Sequence, residues 1–149
     1  MSTVYIDADA CPVRTEADEV TRRHGVALCL VTNGGLRPSQ DARVRTVYVS
    51  EGPDAADRWI AEHAGPGDVV VTSDMPLAAR CVAAGAQVLR HDGSLLGPHN
   101  IGEALAMRDL MADLRAADPF RQGGGRAFSR ADRARFRSAL DAALRTPHR

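Results

Sequence analysis

The chain of 149 residues contains no lysine, and all nineteen of its basic residues are arginine. That absence removes whole classes of chemistry. A P-loop needs its lysine on the terminal phosphates, and Schiff-base catalysis needs an amine nucleophile. Cysteine is scarce as well: Cys11, Cys29 and Cys81 are odd in number, widely spaced and form no C-x-x-C pair. This argues against a disulfide framework and against a structural zinc site. No run approaches the eighteen consecutive apolar residues (roughly) that a membrane span requires. Met1 to Ala10 has no basic start and already holds two aspartates, so it does not read as a signal peptide, and a cytoplasmic protein is expected.

What is present is ordinary in bulk and uneven in detail. Apolar residues make up 44% and charged residues 26%, enough for one hydrophobic core, so a single domain over residues 1–149 is expected. Net charge is zero, yet residues 1–75 hold seven Arg against twelve acids, or −5. Residues 76–149 hold twelve Arg against seven acids, or +5, and from Arg121 onward eight Arg face two Asp. An acidic front and a basic back suggest a metal site on one and a polyanion contact on the other. The plain alternative is an uneven but solvated surface.

Short apolar runs at Thr3–Asp7, Val26–Thr32, Val44–Ser50, Val69–Ser73 and Ala86–Arg90 predict five strands. Helical patterns at Pro12–His24, Asp54–Ala64 and Pro76–Ala84 lie between most of them, with Gly25 and Gly85 as stops. Such alternation predicts an open, mainly parallel sheet sandwiched by helices. Two more helices should close the chain. Asn100 and Glu103 look like a capping box for Ile101–Ala117, with Leu105, Leu110, Met111 and Leu114 as its apolar face. Ser129 and Asp132 open the last, which runs to about Leu144 and presents Phe136, Leu140 and Leu144. Asp118–Phe128 between them holds three consecutive glycines and two arginines and is expected to be mobile.

In a parallel α/β sheet, functional groups gather beyond the carboxyl ends of the strands. Applied to the acids, that rule selects Asp7 and Asp9 after the first strand, Asp54 and Asp57 after the third, and Asp74 after the fourth. Carboxylates crowded on one edge raise one another's pKa unless a cation neutralises them. Mg²⁺ or Mn²⁺, with oxygen ligands, is the natural partner. Each acid also has a purely structural reading: Asp54, Asp57 and Asp74 as helix-start residues, Asp9 as a turn bond. Asp7 is the hardest to dismiss, since a carboxylate ending a nearly buried strand is costly to desolvate alone. Cys11 is the expected N-cap of the first helix, where the dipole would lower a thiol pKa, but no histidine partner points to a nucleophile. The five histidines follow no ligand spacing. Asn33-Gly34-Gly35-Leu36-Arg37 can offer backbone amides and a guanidinium to a phosphate, and as a bare pattern it is also an ordinary turn.

Tyr5-Ile6-Asp7-Ala8-Asp9 looks like the nucleophile strand of haloacid-dehalogenase-type phosphatases. Those enzymes and receiver domains need a lysine that this chain lacks. A metal-assisted phosphodiesterase does not. Several segments together resemble the bacterial YaiI/YqxD family: Asp7 to Pro12, Val31 to Asn33 with Leu36-Arg37, Gly52 to Asp57, and Gly67 to Ala78. Met107-Arg108-Asp109, Gly123-Gly124 and Phe128 to Phe136 extend the likeness to nearly the whole chain. The family is uncharacterised and looks like a branch of the PIN-like nuclease fold. The resemblance implies a Mg²⁺- or Mn²⁺-dependent nuclease site acting on RNA, with Asp7, Asp57 and Asp74 in the places of the metal acids and Asp9 and Asp54 beside them. Asp92 is the one candidate for a further acid.

The resulting expectation is phosphodiester hydrolysis by metal-activated water. Asp7 and Asp74 would be ligands, Asp57 a direct or water-mediated one, and Asp9 and Asp54 would orient water. Asn33 and Arg37 would position the phosphate, with Thr72 or Ser73 holding a water. The basic tail from Arg121 to Arg137, including Arg126, Arg130 and Arg133, would hold the RNA backbone with strong salt dependence. Aromatics are only 4%, so base stacking is not the expected grip. The competing class is a non-catalytic RNA- or nucleotide-binding protein of the same fold, and a third is a protein-interaction scaffold.

Overall fold

In a computed structural model, the described residues are 2–50, 52, 54–117 and 128–145. Eleven elements follow in the order β1 (Thr3–Asp7), α1 (Arg14–His24), β2 (Ala27–Thr32), β3 (Val44–Tyr48), α2 (Ala55–His63), β4 (Val69–Val71), α3 (Met75–Ala83), β5 (Gln87–Leu89), β6 (Leu95–Leu96), α4 (Ile101–Ala117) and α5 (Arg130–Arg145). The six strands form one open sheet in the order β3-β2-β1-β4-β5-β6. Every pairing is parallel except β5 with β6. The mainly parallel α/β sandwich with two C-terminal helices is therefore as the apolar runs predict. The sixth strand is an addition: two residues carry no readable alternation, and only the return of the chain after Gly93 defines them.

Strand alternation decides which helices cover which face. Val4 and Ile6 of β1, Leu28 and Leu30 of β2, and Val69 and Val71 of β4 point to one side. There they meet Val13, Ala17 and Val20 around α1 and Phe136 and Leu140 of α5. Cys29, Val31, Val70 and Val88 point to the other side, against Ile60 of α2 and Leu77, Ala78 and Cys81 of α3. Because both faces are covered, the central strands read as nearly unbroken apolar runs.

The helix ends correct two expectations. Helix α1 starts at Arg14 with Val13 at its N-cap, so Cys11 is not a cap. Burial pushes the Cys11 thiol up to about 11 instead of down. Asn100 does not form a capping box: its Oδ1 accepts from the Gly97 N–H at 2.8 Å and its Nδ2 donates to the Leu95 carbonyl at 2.9 Å. The box at Ser129 does form, with the Ser129 N–H donating to Asp132 at 2.9 Å and the Asp132 N–H donating to the Ser129 hydroxyl at 3.1 Å. Helix α4 is also less buried than its pattern suggests. Ile101, Ala104 and Leu105 pack on the core, whereas Met107, Leu110 and Leu114 are 58%, 51% and 37% exposed. No described helix is long and apolar enough to cross a membrane.

Candidate acidic site

Strand order reverses between β1 and β4: from β1 the chain moves outward to β2 and β3, then returns to β4 on the other side. Ligands in open α/β sheets sit in the crevice at such a reversal, outside the carboxyl ends of the strands. Asp7 is the last residue of β1, and Asp74 follows β4 at the N-cap of α3. Helix α2, on the β3-to-β4 crossover, begins beside this crevice with Asp54 at its N-cap and Asp57 in its first turn.

The carboxylates feel one another. Burial raises the Asp57 pKa to about 6, reinforced by the charges of Asp74, Asp7 and Asp54 and by a carboxyl–carboxyl hydrogen bond with Asp74. Asp7 is also raised, first by burial and then by Asp9 and Asp74, against the lowering effect of the Asp9 N–H bond to its carboxylate. That N–H donates to Asp7 Oδ1 at 3.2 Å. The crowding disfavours the ionised form of Asp57, a cost that a bound cation would offset.

The other predicted residues divide by what they touch. Asp74 is partly a helix cap: its Oδ1 accepts from the Leu77 N–H at 2.9 Å. Asp54 occupies a cap position but makes no side-chain cap bond. Asp9 is turned toward the end of β2, accepting from the Thr32 hydroxyl at 2.7 Å and from the Asn33 N–H at 2.8 Å. Asn33 in turn reaches the Gly52 carbonyl at 3.3 Å, which ties the β2 loop to the approach of α2. The Thr72 hydroxyl accepts from the Asp74 N–H at 3.0 Å and so fixes the turn that carries that acid. Ser73 is exposed at the mouth of the neighbouring cleft. Arg37 is exposed on the β2–β3 loop and makes no ion pair with a described residue. Asp92 lies elsewhere, in the β5–β6 turn. Burial would raise its pKa, but bonds from the Ser94 hydroxyl and N–H outweigh that and lower it.

In the C-terminal helix, Arg133 donates to the Pro12 carbonyl at 2.6 Å and to the Glu16 carboxylate at 3.0 Å, and so is engaged with α1. Arg130 is exposed at the start of α5. Arg121 and Arg126, with the rest of the 118–127 segment, lie outside the described residues.

Do these residues fit a divalent cation? The donor chemistry does, because the acids offer hard oxygen ligands and Asp7 and Asp57 are destabilised as anions by burial and by neighbouring carboxylates. The spacing does so only in part. Among the described residues no three of His, Cys, Asp and Glu converge closely enough to hold a metal ion. Two of the acids meet, and the third is near enough to be felt but not to complete a ligand set.

The cations of the cleft carry no signal in the sequence. Arg58 of α2, Arg80 of α3 and Arg108 of α4 line one cleft with Asp54, Asp57 and Asp74. No spacing rule points to them, since they come from three helices and converge only through the packing of α4 on α3.

Residues 5–146 match the family model described as an uncharacterised bacterial family, YaiI/YqxD. A UPF0178 protein of Cereibacter sphaeroides is 65% identical over 97% of this chain and 90% of its own length. One from Ruegeria pomeroyi is 62% identical over 100% of this chain and 97% of its own. A third, from Parvibaculum lavamentivorans, is 52% identical over 95% of this chain and 92% of its own. No solved structure matches the chain.

Proposed function

The chain belongs to the YaiI/YqxD family, and from that premise and its acidic sheet edge we propose that it is a divalent-metal-dependent phosphodiester hydrolase acting on RNA. The observation that supports this reading is the meeting of Asp57 and Asp74 at the strand-order reversal, with Asp7 close enough to raise Asp57 further. A helix cap accounts for one oxygen of Asp74. It does not account for a second carboxylate placed against it at an energetic cost.

A Mg²⁺ or Mn²⁺ ion, when bound, supplies Lewis acidity and an activated water. Asp7 and Asp74 would be its ligands, with Asp57 direct or through water once it is ionised. Asp54, free of capping duty, is available to orient water. Asp9 keeps the β2 loop in place through Thr32 and Asn33. Phosphate contact falls to Asn33, Arg37 and Ser73 on the flanking loops.

A second reading, a non-catalytic RNA- or nucleotide-binding protein, is favoured by the incomplete ligand set among the described residues. Calorimetric titration of Mn²⁺ into the purified protein separates the two. Saturable binding, lost in Asp7→Asn and in Asp74→Asn, is the expected result. Wild-type protein that takes up no Mn²⁺, even with a short RNA present, would overturn the hydrolase reading and leave the second.

A further inference from the structure

Two clefts open on either side of the Ser73–Asp74 turn. One is lined by the acids Asp54, Asp57 and Asp74 together with Arg58, Arg80 and Arg108. The other is lined by Ser73, Arg90, Arg108 and Arg115 together with Met107 and Met111. Arg108 borders both, so five guanidiniums from α2, α3, α4 and the end of β5 form one run past the candidate site.

These arginines are little used as ion-pair partners inside the fold. Arg58, Arg80, Arg90 and Arg115 make no ion pair with a described residue. Among the described residues Arg108 pairs only with its neighbour Asp109, where both side chains are more than half exposed (54% and 67%), and such a pair contributes little. In helix α5 the reverse holds: Arg133, Arg135, Arg137 and Arg145 pair with Glu16, Asp132, Glu19 and Asp141. The charges that act on Asp57 are all carboxylates, although three arginines share its cleft. The acids sit at the helix starts, and Arg80 lies about 9 Å further along α3 from Asp74 at the α-helical rise.

We infer that Arg58, Arg80, Arg108, Arg90 and Arg115 form a track that grips the phosphate backbone of a polynucleotide as it crosses the Ser73–Asp74 turn. A guanidinium presents a planar fork that matches phosphate oxygens bidentately. Five such forks, spread over two adjoining clefts and with no strong partner among the described residues, exceed what one phosphate can use, and they suit a chain of phosphates. The choice of a polynucleotide as the ligand rests on the hydrolase reading, while the run of arginines does not.

The test is fluorescence anisotropy of a labelled twelve-nucleotide oligouridylate against the full chain, in EDTA and over a range of salt. The pairs Arg80→Gln/Arg108→Gln and Arg90→Gln/Arg115→Gln are each expected to weaken binding tenfold or more. Each should also flatten the plot of log K against log salt by about 1.4, since each single-strand phosphate no longer neutralised removes about 0.7 from the slope. Arg22→Gln/Arg145→Gln removes the same charge from paired surface positions and should stay within twofold of wild type, with circular dichroism confirming that every variant is folded. Track variants that bind like wild type, a control that weakens as much as they do, or wild-type protein that binds no oligonucleotide would each overturn the inference. Mn²⁺ titration of the same proteins keeps the two proposals apart. Oligonucleotide binding that depends on the track, in a protein that takes up no Mn²⁺, retires the hydrolase reading and leaves the track standing.

Discussion

Asp57 is held in the folded protein at a cost to its ionised form. Its folded-state pKa lies near 6, above the ordinary carboxylate value of 3.8. The folded protein therefore holds a proton between those two pH values that the unfolded chain has released. Stability falls wherever the native state binds the extra proton and pH rises, so the metal-free protein should weaken between about pH 4 and 6 and change little above that from this group. Asp57→Asn removes the charge and keeps the shape. Melting in EDTA should show the variant melting higher than wild type at pH 7 and close to it at pH 4. If the variant melts lower at both pH values, the carboxylate is a structural bond and not a strained one. The acids were legible in the sequence because strand ends can be read from apolar runs and the sheet rule then points to them. The arginines were not legible, because the approach of Arg58, Arg80 and Arg108 depends on where α4 docks, which no local pattern states.

At the scale of elements, the turn between β5 and β6 shows what local patterning reads and what it misses. The first four strands and β5 stood out as apolar runs, some overestimated in length by a few residues. β6 is two residues long and exists only because the chain doubles back through Asp92, Gly93 and Ser94. Gly93 adopts φ +91°, and a Cβ placed there would stand 2.6 Å from the Arg135 carbonyl oxygen of α5. The glycine thus serves two ends: a left-handed turn, and the seating of the last helix on the sheet. Gly93→Ala meets both obstacles at once, and a loss of about 2–4 kcal/mol is expected in urea unfolding. A loss under about 1 kcal/mol would mean that α5 can shift freely, and that its position does not depend on this turn. The same helix explains the misjudged face of α4. The apolar spacing of Leu110 and Leu114 is genuine helical periodicity, but α5 packs on the opposite side of the sheet, and among the described residues both side chains stay exposed.

Over the whole molecule, the opposite charges of the two halves acquire a meaning that composition alone did not give. Helix α5, from the basic half, packs against α1, from the acidic half. Arg133 meets Glu16, Arg137 meets Glu19, and Asp141 accepts from His24 at 2.7 Å. Part of the asymmetry is therefore internal complementarity between two helices more than a hundred residues apart. The consequence is sharpest at Arg133, because Glu16 is only 7% exposed. Removing one partner of a buried pair leaves an uncompensated charge, and such losses run to about 3–5 kcal/mol. Arg133 itself is 38% exposed, so Arg133→Ala is expected to cost nearer ~2 kcal/mol. Glu16→Met in the Arg133→Ala background should return most of it, since the stranded carboxylate is gone. Oligonucleotide affinity should move less than twofold in the double variant if the phosphate track lies on the α3–α4 side. Weaker RNA affinity with unchanged stability would be the opposite signature: Arg133 would then release Glu16 to reach a phosphate, and the basic C-terminal helix would carry the nucleic-acid contact after all.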